Sequence, residues 1–470
     1  MANRPLGELL ERALIAYPHT IAAIGAEPAA PQQILQRAEE IARQLQEAGV
    51  ATDEPVMMTI RTEPADLAWF LGIWKAGGVA VPVHANASSM TLQGVQDQTG
   101  ARFFLRDGQL HETGNSRPAH RPLLAGAALI IFTSGSTGKP KGVVVDHERF
   151  GKKLAVLSRL LEATPSDHFV VPLQLIFIFG LWTTLLALVA QARLTLVSRF
   201  SVENLKAAFD DGATILTAVP SMLRTLMSGT PPSSPSLRLI LTGGESLGPA
   251  LTGRIVEAYP TAGIFDLYGL TESGSCDFRL APNELQQGIG TIGFPTDEVA
   301  FRIVGSLGPV AAGEIGELQI ATPFVMLGYL DQPELTASSF ADGYFRTGDL
   351  ARQRPDGRVE LVGRTKEIIS RGGNKISPLE IDHLIASHPS VSAALCAGIP
   401  DQRLGEAIYA VVVPKLGASV TSETLRAWLS ERIERFKVPD VIEVADALPT
   451  GPTGKASRTA LIERITKGAQ

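Results

Sequence analysis

From Gln32 to Gly49 apolar residues recur three and four positions apart, at Ile34, Leu35, Ala38, Ile41, Ala42 and Leu45. That spacing predicts one amphipathic helix, stopped by Gly49. Val56–Ile60 then reads as a strand, Pro64–Ala76 as a helix and, after Gly77-Gly78, Val79–Val83 as a second strand. A strand-helix-strand unit implies a parallel sheet. The texture recurs at Ala128–Phe132, Leu194–Val197, Ile215–Ala218 and Arg238–Thr242, each expected to lead through a Gly- or Pro-marked turn into a helix. Phe169–Ala192 is uncharged and long enough to cross a bilayer. Pro172, Gln174 and Gly180 interrupt it, so the expectation is a buried strand-turn-helix.

After Val299 the pattern changes to short strands separated by turn residues: FRIVG, GELQIA, GYLD, GYFRTGD and GRVELVG. They predict an antiparallel, barrel-like subdomain over about 300–362. Beyond Gly363 a compact mixed unit begins. It has helices near Pro378–Ser387 and Ser422–Ile433, strands near Ala393–Ile399 and Ala407–Pro414, and a basic helix after Ser457. The expected fold is α/β. A large N-terminal domain, residues 1–364, combines parallel-sheet α/β subdomains with the barrel-like piece, and a small α+β C-terminal domain follows over 365–470.

Composition narrows the function. With 45% hydrophobic and 19% charged residues, the 470-residue chain can bury a large core, which excludes disorder. Lys plus Arg number 42 against 48 Asp plus Glu, and a net charge of -6 gives no electrostatic case for nucleic acid. The two cysteines, Cys276 and Cys396, cannot by themselves build a disulfide framework or a zinc site. Charges interrupt the apolar stretches of the N-terminus, so no signal peptide is expected and the location expected is cytoplasmic. His383 and His388, five apart, are expected to be exposed and to form no metal site.

The most informative segment is IIFTSGSTGKPKGVVV, residues 130–145. An apolar strand ends at Phe132 and leads into Thr133, Ser134, Gly135, Ser136, Thr137, Gly138, Lys139, Pro140, Lys141 and Gly142. Hydroxyls, ammonium groups and a Gly-rich backbone with inward N–H groups suit a polyphosphate. The GxxxxGK[ST] spacing of a Walker A loop is absent.

TSGSTGKPKG resembles the phosphate loop of the adenylate-forming superfamily: acyl- and aryl-CoA synthetases, adenylation domains of peptide synthetases, and luciferases. YGLTESG (268–274), YFRTGDL (344–350), GRTKEIISRGGNKISPLEI (363–381) and PTGPTGK (449–455) follow in the family's order, and the resemblance runs from about Ala29 to the end. It implies that Tyr268 stacks on adenine, that Thr271 lies near the α-phosphate and that Glu272 is a magnesium ligand. Asp349 and Arg364 would contact the ribose. Gly243, Gly244 and Glu245 would lie beside adenine and the acyl pocket, which Phe177, Ile178, Gly180 and Gly269 would help to line. Lys455 would be the lysine of adenylation, and Lys366 the hinge on which a mobile C-terminal domain turns. In its second orientation that domain would bring Gly372-Gly373 to a pantetheine tunnel.

Phe177 stands where many acyl-CoA relatives carry a His, and Phe179 and Trp182 add to an aromatic wall. No acid lies between Asp167 and Glu203, where amino-acid-activating relatives hold the substrate ammonium. The region before the phosphate loop is short for the family.

The resemblance implies an ATP- and Mg²⁺-dependent ligase that forms an acyl-adenylate and then a thioester with CoA. Its substrate would be an aromatic or short-to-medium acyl acid. A carrier-protein phosphopantetheine is the alternative acceptor, and the particular acid, the oligomeric state and the pathway stay open. A rival comes from GESLG (244–248), which matches G-x-S-x-G between an expected strand and the helix Pro249–Tyr259. It would make Ser246 a hydrolase nucleophile served by His383 or His388. That reading leaves the phosphate loop, Asp349 and Lys455 unexplained.

Overall fold

The computed structural model describes residues 5–133, 140–451 and 455–468. Two sheets dominate the first 300 residues. One has seven strands in the order Gly328–Tyr329, Lys141–Asp146, Ala127–Thr133, Val79–His84, Pro55–Ile60, Phe103–Arg106 and Gln109–Glu112. Its inner pairs are parallel and its edges antiparallel. The other has eight strands. It is parallel from Ala22–Ile24 through to Gly263–Tyr268, and Phe278–Leu280 and Phe294–Pro295 close it in antiparallel fashion. Strands covered on both faces read as unbroken apolar runs, and Val56, Met57 and Met58 are fully buried.

The largest core joins the two sheets through the helices Pro5–Ala16, Asp66–Ala76, His147–Leu161 and Ile178–Val189. This explains the uncharged stretch. It forms the strand His168–Val171 and the helix Ile178–Val189, which is apolar all round because it packs within this core. Among the described residues no helix is long and apolar enough to cross a membrane.

Two expectations need correction. The strand Ala127–Thr133 does not lead into a helix. It pairs antiparallel with Lys141–Asp146, Thr133 opposite Lys141, and the helix begins only at His147. The phosphate-loop segment thus joins two strands of a hairpin, and no helix N-terminus follows it directly. GYLD does not join the antiparallel subdomain either. Gly328–Tyr329 pairs with Val143–Val144 at the free edge of the seven-stranded sheet, and Leu327 and Leu330 extend the ladder to Val144 and Gly142. The remaining short strands form a six-stranded antiparallel sheet, with Tyr344–Gln353 paired to Gly316–Ala321 on one side and Val359–Arg364 on the other. Past Ile369 the chain builds a five-stranded sheet around Gly405–Pro414, with Ile381, Ile385, Ile408 and Leu425 in a core of its own.

Candidate active site

Leu239–Gly243 and Gly263–Tyr268 are neighbouring parallel strands, Gly243 opposite Leu267. Their carboxyl ends bring Gly244-Glu245 and Tyr268-Gly269 to one edge, where sheets of this kind bind ligands. The chain then reverses sharply. A Cβ on Gly269 would lie 2.1 Å from the Cys276 nitrogen, so backbone contact, not pocket width, requires glycine there. Thr271–Ser273 forms one tight turn, and Ser275 and Cys276 take φ of +70° and +51°. Fully buried Lys153 pins this reversal by donating to the Cys276 carbonyl at 2.8 Å and to Thr296 Oγ1 at 3.3 Å. Burial pushes the neighbouring Asp277 carboxyl up to about 6, opposed by the Lys153 charge and a bond from Ser273.

Within the turn, the Glu272 carboxylate accepts a bond from the Tyr329 hydroxyl at 3.0 Å, and its carbonyl one from Met326 N at 2.7 Å. The Lys141 ammonium lies 5.0 Å from the centre of the Tyr329 ring. Burial, and then the Glu272 charge, raise the Tyr329 phenol far above its ordinary range. Lys141, Tyr329 and Glu272 thus cluster at the exit of the phosphate-loop segment. Thr133 ends the strand that enters it, while Ser134, Gly135, Ser136, Thr137, Gly138 and Lys139 lie outside the described residues.

Asp349 and Arg364 face each other across neighbouring strands. The buried Asp349 carboxylate accepts Tyr268 Oη at 2.6 Å on one oxygen and Arg364 Nε at 2.8 Å on the other. Burial and the Asp349 charge raise the Tyr268 phenol well above its ordinary value. The Tyr268 ring meets Phe278 edge-on, with centroids 6.0 Å apart. Asp266, two residues earlier and so on the same strand face, has its carboxyl pushed up to about 7 by burial.

Lys455 Nζ donates to the Gly244 carbonyl at 3.2 Å. Burial lowers its pKa; the Glu245 charge opposes the shift and the Arg364 charge adds to it. Glu245 is itself paired with Arg224, on the helix Pro220–Leu226. Lys455 therefore shares the electrostatic environment of Glu245 and Arg364, although more than 90 residues separate it from either.

The expected acyl wall divides. Ile178 and Trp182 are core residues, and the Trp182 indole donates to Ser275 Oγ at 3.3 Å. Phe179 stacks on Trp182 at 5.3 Å. A Cβ on Gly180 would lie 2.4 Å from the Gln174 carbonyl oxygen, so that glycine also serves backbone packing. Phe177, half-buried, stands just before the helix. Gly372 and Gly373 turn the hairpin between Ile369–Arg371 and Asn374–Ile376, and the Gly372 N–H binds the Leu404 carbonyl at 2.8 Å. Lys366 occupies an exposed turn between the six-stranded and five-stranded sheets.

His383 is not exposed as expected. Its Nε2 lies 2.8 Å from Ser246 Oγ, and burial, reinforced by the Arg458 charge, lowers its pKa. Among the described residues no carboxylate bonds its other nitrogen, and no group of three or more acidic, His or Cys side chains could hold a metal. The residues that sequence reasoning passed over are Tyr329, Arg224, Lys153 and Asp266. Only Asp266 carried a usable signal, since alternation along a strand puts it on the Tyr268 face.

The strand ends thus gather a carboxylate held by Tyr268 and Arg364, a second carboxylate held by Tyr329 beside Lys141, and a second lysine, Lys455, brought from the C-terminal unit, an arrangement able to meet a polyanion. The chain belongs to the AMP-binding enzyme family, whose model matches residues 16–125 and 109–330. The C-terminal domain of the same enzymes matches 380–455. Oxalate–CoA ligase of Arabidopsis thaliana is 34% identical over 72% of this chain and 67% of its own length. Feruloyl-CoA synthase of an Amycolatopsis species is 29% identical over 97% and 98%. In fold the chain is similar to ATP-bound MatB of Rhodopseudomonas palustris, with a TM-score of 0.85, 24% identity and coverage of 99% of this chain and all of that one.

Proposed function

We propose that this enzyme joins a carboxylic acid to the thiol of CoA in two steps, with ATP as the energy source. In the first, a carboxylate oxygen attacks the α-phosphorus of ATP and pyrophosphate leaves, giving an acyl-adenylate. In the second, the thiol sulfur attacks the acyl carbon, the thiol proton is released and AMP leaves with the bond electrons. The observation that carries this reading is the arrival of Lys455 at Gly244, within the field of Glu245 and Arg364. An ammonium there can lie between two anions that must approach each other and stabilise the charge that develops.

In this reading Asp349, held by Tyr268 and Arg364, receives the ribose hydroxyls, and Tyr268 and the Gly243–Glu245 edge flank the adenine. Thr133, Ser134, Gly135, Ser136, Thr137, Gly138, Lys139 and Lys141 bind the phosphates, with Thr271 near the α-phosphate. Glu272 would hold a magnesium ion, which neutralises phosphate charge when bound. One carboxylate fits that role because magnesium takes most of its other ligands from phosphates and water. Residues 1–364 and 365–470 act as two domains hinged at Lys366, and a second orientation exchanges Lys455 for the Gly372-Gly373 hairpin.

Two observations support a neutral acyl or aryl substrate. Glu245 is already paired with Arg224, and half-buried Phe177 supplies an apolar surface. Oxalate–CoA ligase and feruloyl-CoA synthase differ in their acid but share CoA, which favours CoA over a carrier protein. Free, buried Cys276 and Cys396 suit a reducing cytoplasm.

The test is pyrophosphate release across a panel of carboxylic acids, repeated with CoA and with a pantetheinylated carrier protein. Release should require ATP, an aryl or alkyl acid should exceed any α-amino acid by on the order of 10²-fold, and CoA should yield the thioester. An α-amino acid as best substrate would overturn the pocket assignment, and no release with any acid would overturn the reaction.

A further inference from the structure

The turn Gly244–Gly248 receives two contacts from the C-terminal unit. The Gly244 carbonyl accepts Lys455, and Ser246 Oγ bonds His383 Nε2 at 2.8 Å. His383 lies on the helix Pro378–Ala386, whose other face holds Ile381 and Ile385 in the C-terminal core, so its ring is carried rigidly with that unit. Its Cδ2 also lies 3.6 Å from where a Cβ on Gly248 would stand, so the ring fits against bare backbone. Beside this contact a crevice of about 90 Å³, lined by Arg254, His388 and Lys415, separates the helix Pro249–Ala258 from the C-terminal unit. The interface is not packed shut, which makes each polar contact across it count.

We infer that Ser246 and His383 form a positioning pair that holds the C-terminal unit in the orientation delivering Lys455, and so sets how the enzyme divides its time between the two half-reactions. This rests on the two-orientation reading given above. A single hydrogen bond formed in only one of two arrangements biases them by its own net strength. The pair is not a nucleophile with its base, because among the described residues no carboxylate bonds the imidazole and the hydroxyl is spent on the interface.

The test uses the full-length enzyme with Ser246→Ala, His383→Ala, the double variant, His383→Gln and Lys455→Ala. Pyrophosphate exchange reads the first step, and thioester formation from a chemically prepared acyl-adenylate reads the second. Each alanine variant should lose about 3- to 10-fold in the first step, the scale of one net hydrogen bond, while the second step is unchanged or faster. The double variant should lose no more than either single one, and His383→Gln should recover part of the loss. Equal losses in both steps, or none in either, would overturn the pair while a step-selective Lys455→Ala left the two-orientation reading standing. A Lys455→Ala loss shared by both steps would remove that reading and the pair with it. Labelling of Ser246 by a fluorophosphonate probe would overturn the positioning role in favour of a nucleophilic one.

Discussion

In the six-stranded sheet, each oxygen of the buried Asp349 carboxylate accepts a fixed hydrogen bond. Glu272 is likewise fixed twice, through its side chain to Tyr329 and through its carbonyl to Met326. On the other side, among the described residues, the Lys455 ammonium donates to one carbonyl at 3.2 Å and His383 bonds one exposed serine. The first set is preorganised by β-strands and a lysine-pinned turn. The second depends on where a separate sheet happens to sit. In the two-orientation reading proposed above, the groups used in every step are built into the frame, and the group needed in one step is attached by bonds weak enough to release.

The contrast breaks most visibly at Lys455. Lys455→Ala should lower adenylate formation by roughly 10²–10³-fold, leave thioester formation from prepared acyl-adenylate near normal and leave the melting curve unchanged, measured by single-turnover kinetics of each step. Asp349→Ala should instead cost both binding and stability. About 10–100-fold in kcat/KM for ATP is expected, with a lower melting temperature because a buried Tyr hydroxyl and Arg364 lose their shared acceptor. Tyr329→Phe removes only the hydroxyl on Glu272 and should raise the magnesium concentration needed for half-maximal activity by about 10-fold, read by titration.

Two smaller effects sharpen the picture of the frame. Gly180→Ala should destabilise by about 1–3 kcal/mol, visible in urea unfolding, because its Cβ would meet the Gln174 carbonyl. Asp266 tests the cost of building a site into a core. Its folded pKa of about 7 lies above the unfolded value of 3.8, so folding favours its protonated form, and its contribution to stability falls as pH rises through 7. Asp266→Asn should therefore gain melting temperature over wild type progressively from about pH 4 to 7 and level off above; a pH-independent difference would remove burial as the cause.

The α/β layering was legible because Val56, Leu239 and their neighbours form short unbroken apolar runs, as strands covered on both faces require, and the uncharged helix betrayed its burial by having no charged face. The motifs that resemble the family pointed to Tyr268, Glu272, Asp349 and Arg364, and the fold does bring Tyr268, Asp349 and Arg364 together. What stayed hidden was pairing between distant segments. Nothing local in GYLD says that its tyrosine will be placed by Val143, nor that Ser246 will meet a histidine 137 residues away. Lys153 was invisible for a related reason, since an isolated lysine reads as surface until the carbonyl that accepts it is known.

The strand Lys141–Asp146 has a consequence for how such a chain can tolerate changes of length. One edge of it fixes Thr133 against Lys141, and the other fixes Tyr329 against Val143. Residues inserted between Thr133 and Lys141 would leave both pairings in register, so such a change would act on the phosphate-loop segment itself and not on the placement of Tyr329. A single deletion inside Lys141–Asp146 would instead shift everything beyond it by about 3.3 Å and turn each side chain to the opposite face. The strand acts as a ruler between its two neighbours, and its length, more than its side chains, is what a library of insertions and deletions should find immutable.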